Sequence, residues 1–207
     1  MNHNFHFTNN NKNLISRYCP NGIHRRIIFF TENHKKVKKL LWIDLEMTGL
    51  DVNKEVIIEV GAIVTDLEFN SLAEYHAIVK QPQKYIDGMD EWNTSHHNAS
   101  GLVEQIPNGK EPEVVEQELI DLCQTHFGDE KPVLAGNSIH QDKRFIDEHF
   151  KKLSNILHYR LLDVSSFKVL FVNKYNKSYQ KKGNHRAVDD IKESIEELKF
   201  FSSFIKI

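Results

Sequence analysis

Short apolar runs dominate the middle of the chain, and helical periodicities follow them. Leu40-Leu-Trp-Ile-Asp-Leu45 is apolar at almost every position, which predicts a buried strand, closed by Gly49. Val56-Ile-Ile-Glu-Val-Gly-Ala-Ile-Val64 is a second run, β-branched, and Ala73 to Val79 a third in which polar residues interleave. Residues 81–109 are polar, with glycine and proline breaks. Pro112, then Val115, Leu119, Leu122 and Phe127 at helical spacing, predict a helix. Pro132-Val-Leu-Ala-Gly136 reads as a fourth strand, His140 to Leu153 as a helix and Tyr159 to Val164 as a fifth strand. Two further helices are expected over about Ser165–Asn173 and Arg186–Phe204. Three consecutive strands, then strands alternating with helices, make an α/β domain with a mixed sheet.

Residues 1–36 show no such period. They are rich in Asn, His and Lys, and we divide the chain into this basic tail and a domain over 37–207. A disordered segment and an organelle-targeting leader both fit the tail, since leaders are basic and poor in acids. The chain is therefore expected to be mitochondrial, cytoplasmic or both. The chain's net charge of −2 hides an asymmetry: residues 1–39 hold eight basic residues against Glu32 alone, leaving a surplus of nine acids in the body. An acidic body grips long duplex DNA poorly, because that affinity comes from neutralising many phosphates. Two cysteines exclude a disulfide scaffold and suit a reducing compartment. No apolar run approaches the roughly 20 residues of a membrane helix.

Within the first strand, Asp44 and Glu46 are two residues apart and so share a face. Unpaired buried charge costs several kcal/mol, so two carboxylates there call for a cation. Alternatively the strand ends before Glu46 and both acids face water. On the last helix, Val188, Ile191, Ile195 and Leu198 form one stripe; Asp189 points away from it and Asp190 falls at its margin. Asp190 can reach a cleft, or serve as an ordinary first-turn acid favoured by the helix dipole. Asp142 in Gly136-Asn-Ser-Ile-His-Gln-Asp142 has the same two readings, and Ser138 is a candidate helix cap. His185 precedes the last helix, where a capping or surface role is the plain alternative. The tail histidines have no metal-site spacing.

Taken together and in order, Asp-x-Glu, Asp and His-x4-Asp resemble the DEDDh exonucleases of the ribonuclease H-like fold. Trp42-Ile-Asp-Leu-Glu-Met-Thr-Gly-Leu50, Asn98-Ala-Ser-Gly-Leu-Val103, Gly136-Asn-Ser-Ile-x-Gln-Asp142, His158-Tyr-Arg-x-Leu-Asp-Val-Ser165 and His185-Arg-Ala-x-Asp-Asp-Ile191 are similar to the oligoribonucleases within that group. The resemblance covers about Leu40 to Ile207. It departs at His140, where the family usually has glycine.

The resemblance implies a three-layer α/β domain with a mixed five-stranded sheet flanked by helices. It implies a 3′-to-5′ exoribonuclease that hydrolyses oligoribonucleotides of two to five nucleotides to nucleoside 5′-monophosphates. Asp44, Glu46, Asp142 and Asp190 would hold two Mg²⁺ or Mn²⁺ ions, and His185 would be the general base. Leu50 and Trp92 would sandwich bases, and His97 and Tyr159 would approach the substrate. Ser138, Arg160 and Ser165 would hold the 5′ phosphate, in a homodimer. Two rivals are a proofreading or repair exonuclease on single-stranded DNA and a catalytically inactive nucleic-acid-binding module.

Overall fold

The computed structural model describes residues 36–180 and 186–205. Residues 1–35 of the expected tail, Lys181, Lys182 and His185 lie outside the described residues. Strands β1 (Lys39–Met47), β2 (Ile57–Asp66), β3 (Ser71–Ile78), β4 (Val133–Gly136) and β5 (Leu161–Asp163) form one sheet in the order β3-β2-β1-β4-β5. β1–β2 and β2–β3 are antiparallel, whereas β1–β4 and β4–β5 are parallel. Every residue of β2 except its last is buried, as a central strand covered on both faces requires.

Alternation along β1 assigns the two faces. Leu41, Ile43 and Leu45 pack with Val115 and Leu119 of α4 (Pro112–Phe127) and Phe145 of α5 (His140–His149). Leu40 and Trp42 point the other way, into a cluster with Ile191, Ile195 and Leu198 of α8 (Ala187–Ser202) and Val164 of α7 (Val164–Tyr175). Burying each such aliphatic side chain stabilises the fold by about 1.5–3 kcal/mol. The layers are therefore helix, sheet, helix.

Two parts of the helical reading need correction. The expected helix His140–Leu153 is two helices, α5 and α6 (Lys151–Ile156), broken at Phe150 with φ −123° and ψ 61°. Phe150 enters the core there, and Glu116 accepts from the Lys152 and Leu153 N–H groups, capping α6. The polar stretch contains α1 (Gln83–Asp87), α2 (Glu91–Ala99) and α3 (Leu102–Gln105). α2 buries only His97 and α3 only Leu102, so neither carries an apolar stripe that periodicity could reveal.

α8 meets β2 at contact distance. A Cβ on Gly61 would lie 2.8 Å from the Ala187 carbonyl carbon and 2.9 Å from the Val188 nitrogen. Overpacking of this kind costs about 1–3 kcal/mol. Gly61→Ala is accordingly expected to lower the urea midpoint at unchanged m-value; an unchanged midpoint would mean that α8 draws back freely.

Candidate active site

The carboxylates meet where β1 outruns its parallel neighbour. β1 continues to Met47, so Glu46 is within the strand, and both Asp44 and Glu46 are half-buried on the α8 side. α8 begins over the same place, and Asp190 stands in its first turn, its N–H bonded to the Arg186 carbonyl. One carboxylate oxygen each from Asp44, Glu46 and Asp190 lie within 4.8 Å of one another. β4 pairs with β1 only as far as Trp42↔Ala135. Beyond it, the Leu45 N–H donates to Asp142 Oδ1 at 3.0 Å, which ties the first turn of α5 to the same strand end.

Asp44, Glu46 and Asp190 are half-buried, and Asp142 beside them is buried. Burial first, then the charges of Glu59, Asp190 and Asp142, push Glu46 up to about 8, opposed by the Arg186 guanidinium. Burial pushes Asp142 up to about 7; hydrogen bonds from the Leu45 and Asp142 N–H groups oppose this, and the Asp163 charge adds to it. Half-buried oxygens that repel one another and resist ionisation are the environment a divalent cation relieves. The donors are carboxylate oxygens, hard ligands of the Mg²⁺ and Mn²⁺ class. The residues present fit such ions.

The other expected residues fall in two places. Leu50, Trp92 and Tyr159 are exposed, at 67%, 69% and 77%. Trp92 stacks on His96, with ring centroids 4.7 Å apart, on the solvent side of α2. His97, expected to approach substrate, is buried instead. Its Nε2–H donates to the Met47 carbonyl at 3.0 Å, and Nδ1 stands 4.0 Å from Glu46 Oε2. Burial holds the imidazole below its usual pKa, so it is neutral near pH 7. It fastens α2 to the end of β1 rather than lining an open surface.

Ser138 and Ser165 converge on Asp163. Ser138 adopts a left-handed φ of 56°, and its N–H donates to Asp163 Oδ1 at 2.9 Å. The Ser165 N–H and hydroxyl donate to the same oxygen at 2.9 and 2.6 Å. His140 Nδ1 stands 3.5 Å from Asp163 Oδ2, which places the atypical histidine beside this pair of serines. Arg160 lies over the Tyr159 ring at 5.2 Å.

Sequence reasoning assigned no role to Asp163, Glu59 or Arg186. The signal for Glu59 is a lone charge inside the apolar run Val56–Val64, a pattern that marks a buried, partnered carboxylate. Asp163 opens α7, where an acid whose side chain accepts from Ser165 N–H is a helix cap.

Comparison with known proteins places these features in context. A family model described as Exonuclease matches residues 41–198. An oligoribonuclease of Idiomarina loihiensis is 44% identical over 177 residues, 83% of this chain and 96% of that protein. A mitochondrial oligoribonuclease of Homo sapiens is 36% identical over 198 residues, 91% of this chain and 82% of that protein. Among solved structures, E. coli Exonuclease I in complex with a 5cy-dA13 oligonucleotide superposes with a TM-score of 0.63 at 13% identity. That likeness covers 81% of this chain but 41% of the other, and concerns the fold.

Proposed function

Because this chain belongs to the exonuclease family, and within it to the oligoribonucleases, we propose that it is a metal-dependent 3′-to-5′ exoribonuclease acting on RNAs of two to five nucleotides. The observation that carries the reading is the convergence of Asp44, Glu46 and Asp190 oxygens within 4.8 Å, beside the buried Asp142.

Asp44, Glu46, Asp142 and Asp190 would hold two divalent ions, Mg²⁺ or Mn²⁺. When bound, such a pair polarises a phosphodiester and stabilises the charge that develops on attacking and leaving oxygens. The chain's own residues supply the rest. His185, directly before the segment that opens α8, would take the proton of the attacking water, since an ordinary imidazole with pKa near 6.5 serves as a base at neutral pH. Exposed Leu50 and Trp92 would hold bases by stacking and apolar contact, which tolerates any sequence. Ser138, Ser165 and Arg160 would bind the phosphate at the 5′ end. Asp163 supports this by fixing Ser138 and Ser165 through one oxygen. His97 would hold α2, and so Trp92, in place.

A homodimer completes the reading. Tyr159 and the exposed Val169, Leu170 and Val172 of α7 offer the apolar surface such contact needs. Residues 1–36 would form a separate basic tail, and mitochondrial import is supported by its six basic residues and by the human relative's name. Among the described residues, no helix is long and apolar enough to cross a membrane.

The test compares a 5′-labelled RNA dinucleotide with long single-stranded DNA, each with Mg²⁺ and with chelator. We expect conversion of the dinucleotide to labelled 5′-monophosphate in Mg²⁺ alone. Preferential degradation of the DNA would overturn the substrate class, and absence of cleavage of either would favour a binding module.

A further inference from the structure

Glu59 is fully buried on β2, directly across the β1–β2 ladder from Glu46. Its Oε1 accepts from Arg186 Nε at 3.0 Å, from Arg186 Nη2 at 2.9 Å and from His76 Nε2 at 2.6 Å. A carboxylate only accepts, so His76 Nε2 carries the proton in that bond. Oε2 has no hydrogen-bond partner among the described residues. Such an arrangement is costly to bury and stays only where the geometry is good and the pairing intact.

Its location gives it a use. Arg186 is the N-cap residue of α8, yet its side chain does not cap the helix. The side chain instead spans to β2, while its carbonyl accepts from the Asp190 N–H at 2.9 Å. Two residues along β2 from Glu59, Gly61 lets the Ala187–Val188 backbone rest on the strand. The first turn of α8 is therefore held laterally by an ion pair and vertically by a glycine contact, and Asp190 stands on that turn.

We propose that Arg186 and Glu59 form a positioning clamp that sets Asp190 against Asp44 and Glu46 at the spacing divalent-ion binding requires. Neither clamp residue is one of the four ligand carboxylates; each positions Asp190 through α8, beside the opposed effects of their two charges on Glu46. The inference rests on the metal-site reading above. Partners that orient a metal's ligands typically cost about 10- to 100-fold in metal affinity or activity when removed. A clamp also has a signature that general support of the fold lacks: its two halves fail as one unit.

The experiment uses the full chain with R186A, E59Q, the double variant R186A/E59Q, and D190A. Mn²⁺ binding is measured by calorimetry, and kcat and KM on an RNA dinucleotide are measured separately. R186A and E59Q should each weaken Mn²⁺ binding and lower kcat by about 10- to 100-fold, with KM within about twofold. The double variant should be no worse than the poorer single variant. R186K, still cationic, should recover part of the loss. Gln is isosteric with Glu, so E59Q keeps the comparison open if R186A folds poorly. Mn²⁺ affinity and kcat within about twofold of the parent in both single variants would overturn the clamp, as would losses that multiply in the double variant. If D190A itself leaves Mn²⁺ binding unchanged, the metal-site reading fails; if D190A abolishes it while the clamp variants bind normally, only the clamp fails.

Discussion

Asp44→Ala is expected to lower kcat on an RNA dinucleotide by on the order of a thousandfold or more, while the chain stays folded. Asp44 lies on β1 opposite Gly61, with an oxygen inside the group it forms with Glu46 and Asp190. A bound cation is worth several kcal/mol of transition-state stabilisation, and each 1.4 kcal/mol is about tenfold in rate. Loss of one carboxylate of a set that acts together removes most of that contribution. The fold should not suffer. Asp44 is half-buried among other acids, so its removal relieves repulsion rather than leaving a hole in the core. The check is kcat at saturating Mg²⁺ beside thermal melting in chelator. Near-parental turnover would remove Asp44 from the site, and a collapsed melting curve would make its role one of packing.

The second large effect is a linkage between pH and divalent ions. Glu46 titrates at about 8 in the fold against an ordinary 4.5, and Asp142 at about 7 against 3.8. Between about pH 4 and pH 8 the folded chain thus holds more protons than the unfolded one. Stability without metal must fall as pH rises through that window, because it rises only where the unfolded state binds more protons. Cations compete with those protons for the same oxygens. Mn²⁺ or Mg²⁺ should therefore stabilise the protein more at pH 8 than at pH 5. At one hundred times its dissociation constant, an ion adds about 2.7 kcal/mol. For a domain of this size that shifts the melting temperature by about 5–10 °C. Melting curves at the two pH values, with chelator and with Mn²⁺, test this. A melting temperature in chelator that climbs from pH 5 to pH 8 would contradict it, as would equal metal shifts at both.

Much of this molecule is legible from residue order. β1, β2 and β4 lie in apolar runs that mark them, because strands covered on both faces need continuous hydrophobicity, whereas the edge strand β3 shows as apolar residues interleaved with polar ones. The α8 stripe puts Asp190 rather than Asp189 at its inward margin, and it is Asp190 whose carboxylate meets those of Asp44 and Glu46 within 4.8 Å. What stayed hidden has a common physical origin. α1 to α3 are short and bury too little to create a period. The break at Phe150 depends on Glu116, which lies 36 residues from the Lys152 N–H that it accepts. Nothing local marks His97 as buried, because the Met47 carbonyl that accepts from it lies 50 residues away in sequence. The Arg186–Glu59 contact spans 127 residues, so neither partner's neighbourhood announces the other.

One feature of the layout bears on how the molecule comes into being. Asp44 and Glu46 leave the ribosome early, whereas Asp190 belongs to the last helix, which also supplies Ile191, Ile195 and Leu198 to one whole layer of the core. A growing or prematurely terminated polypeptide that stops short of α8 has neither the fourth acid nor a sealed sheet. Assembly of the carboxylate set is thereby coupled to closure of that layer, since one helix supplies both.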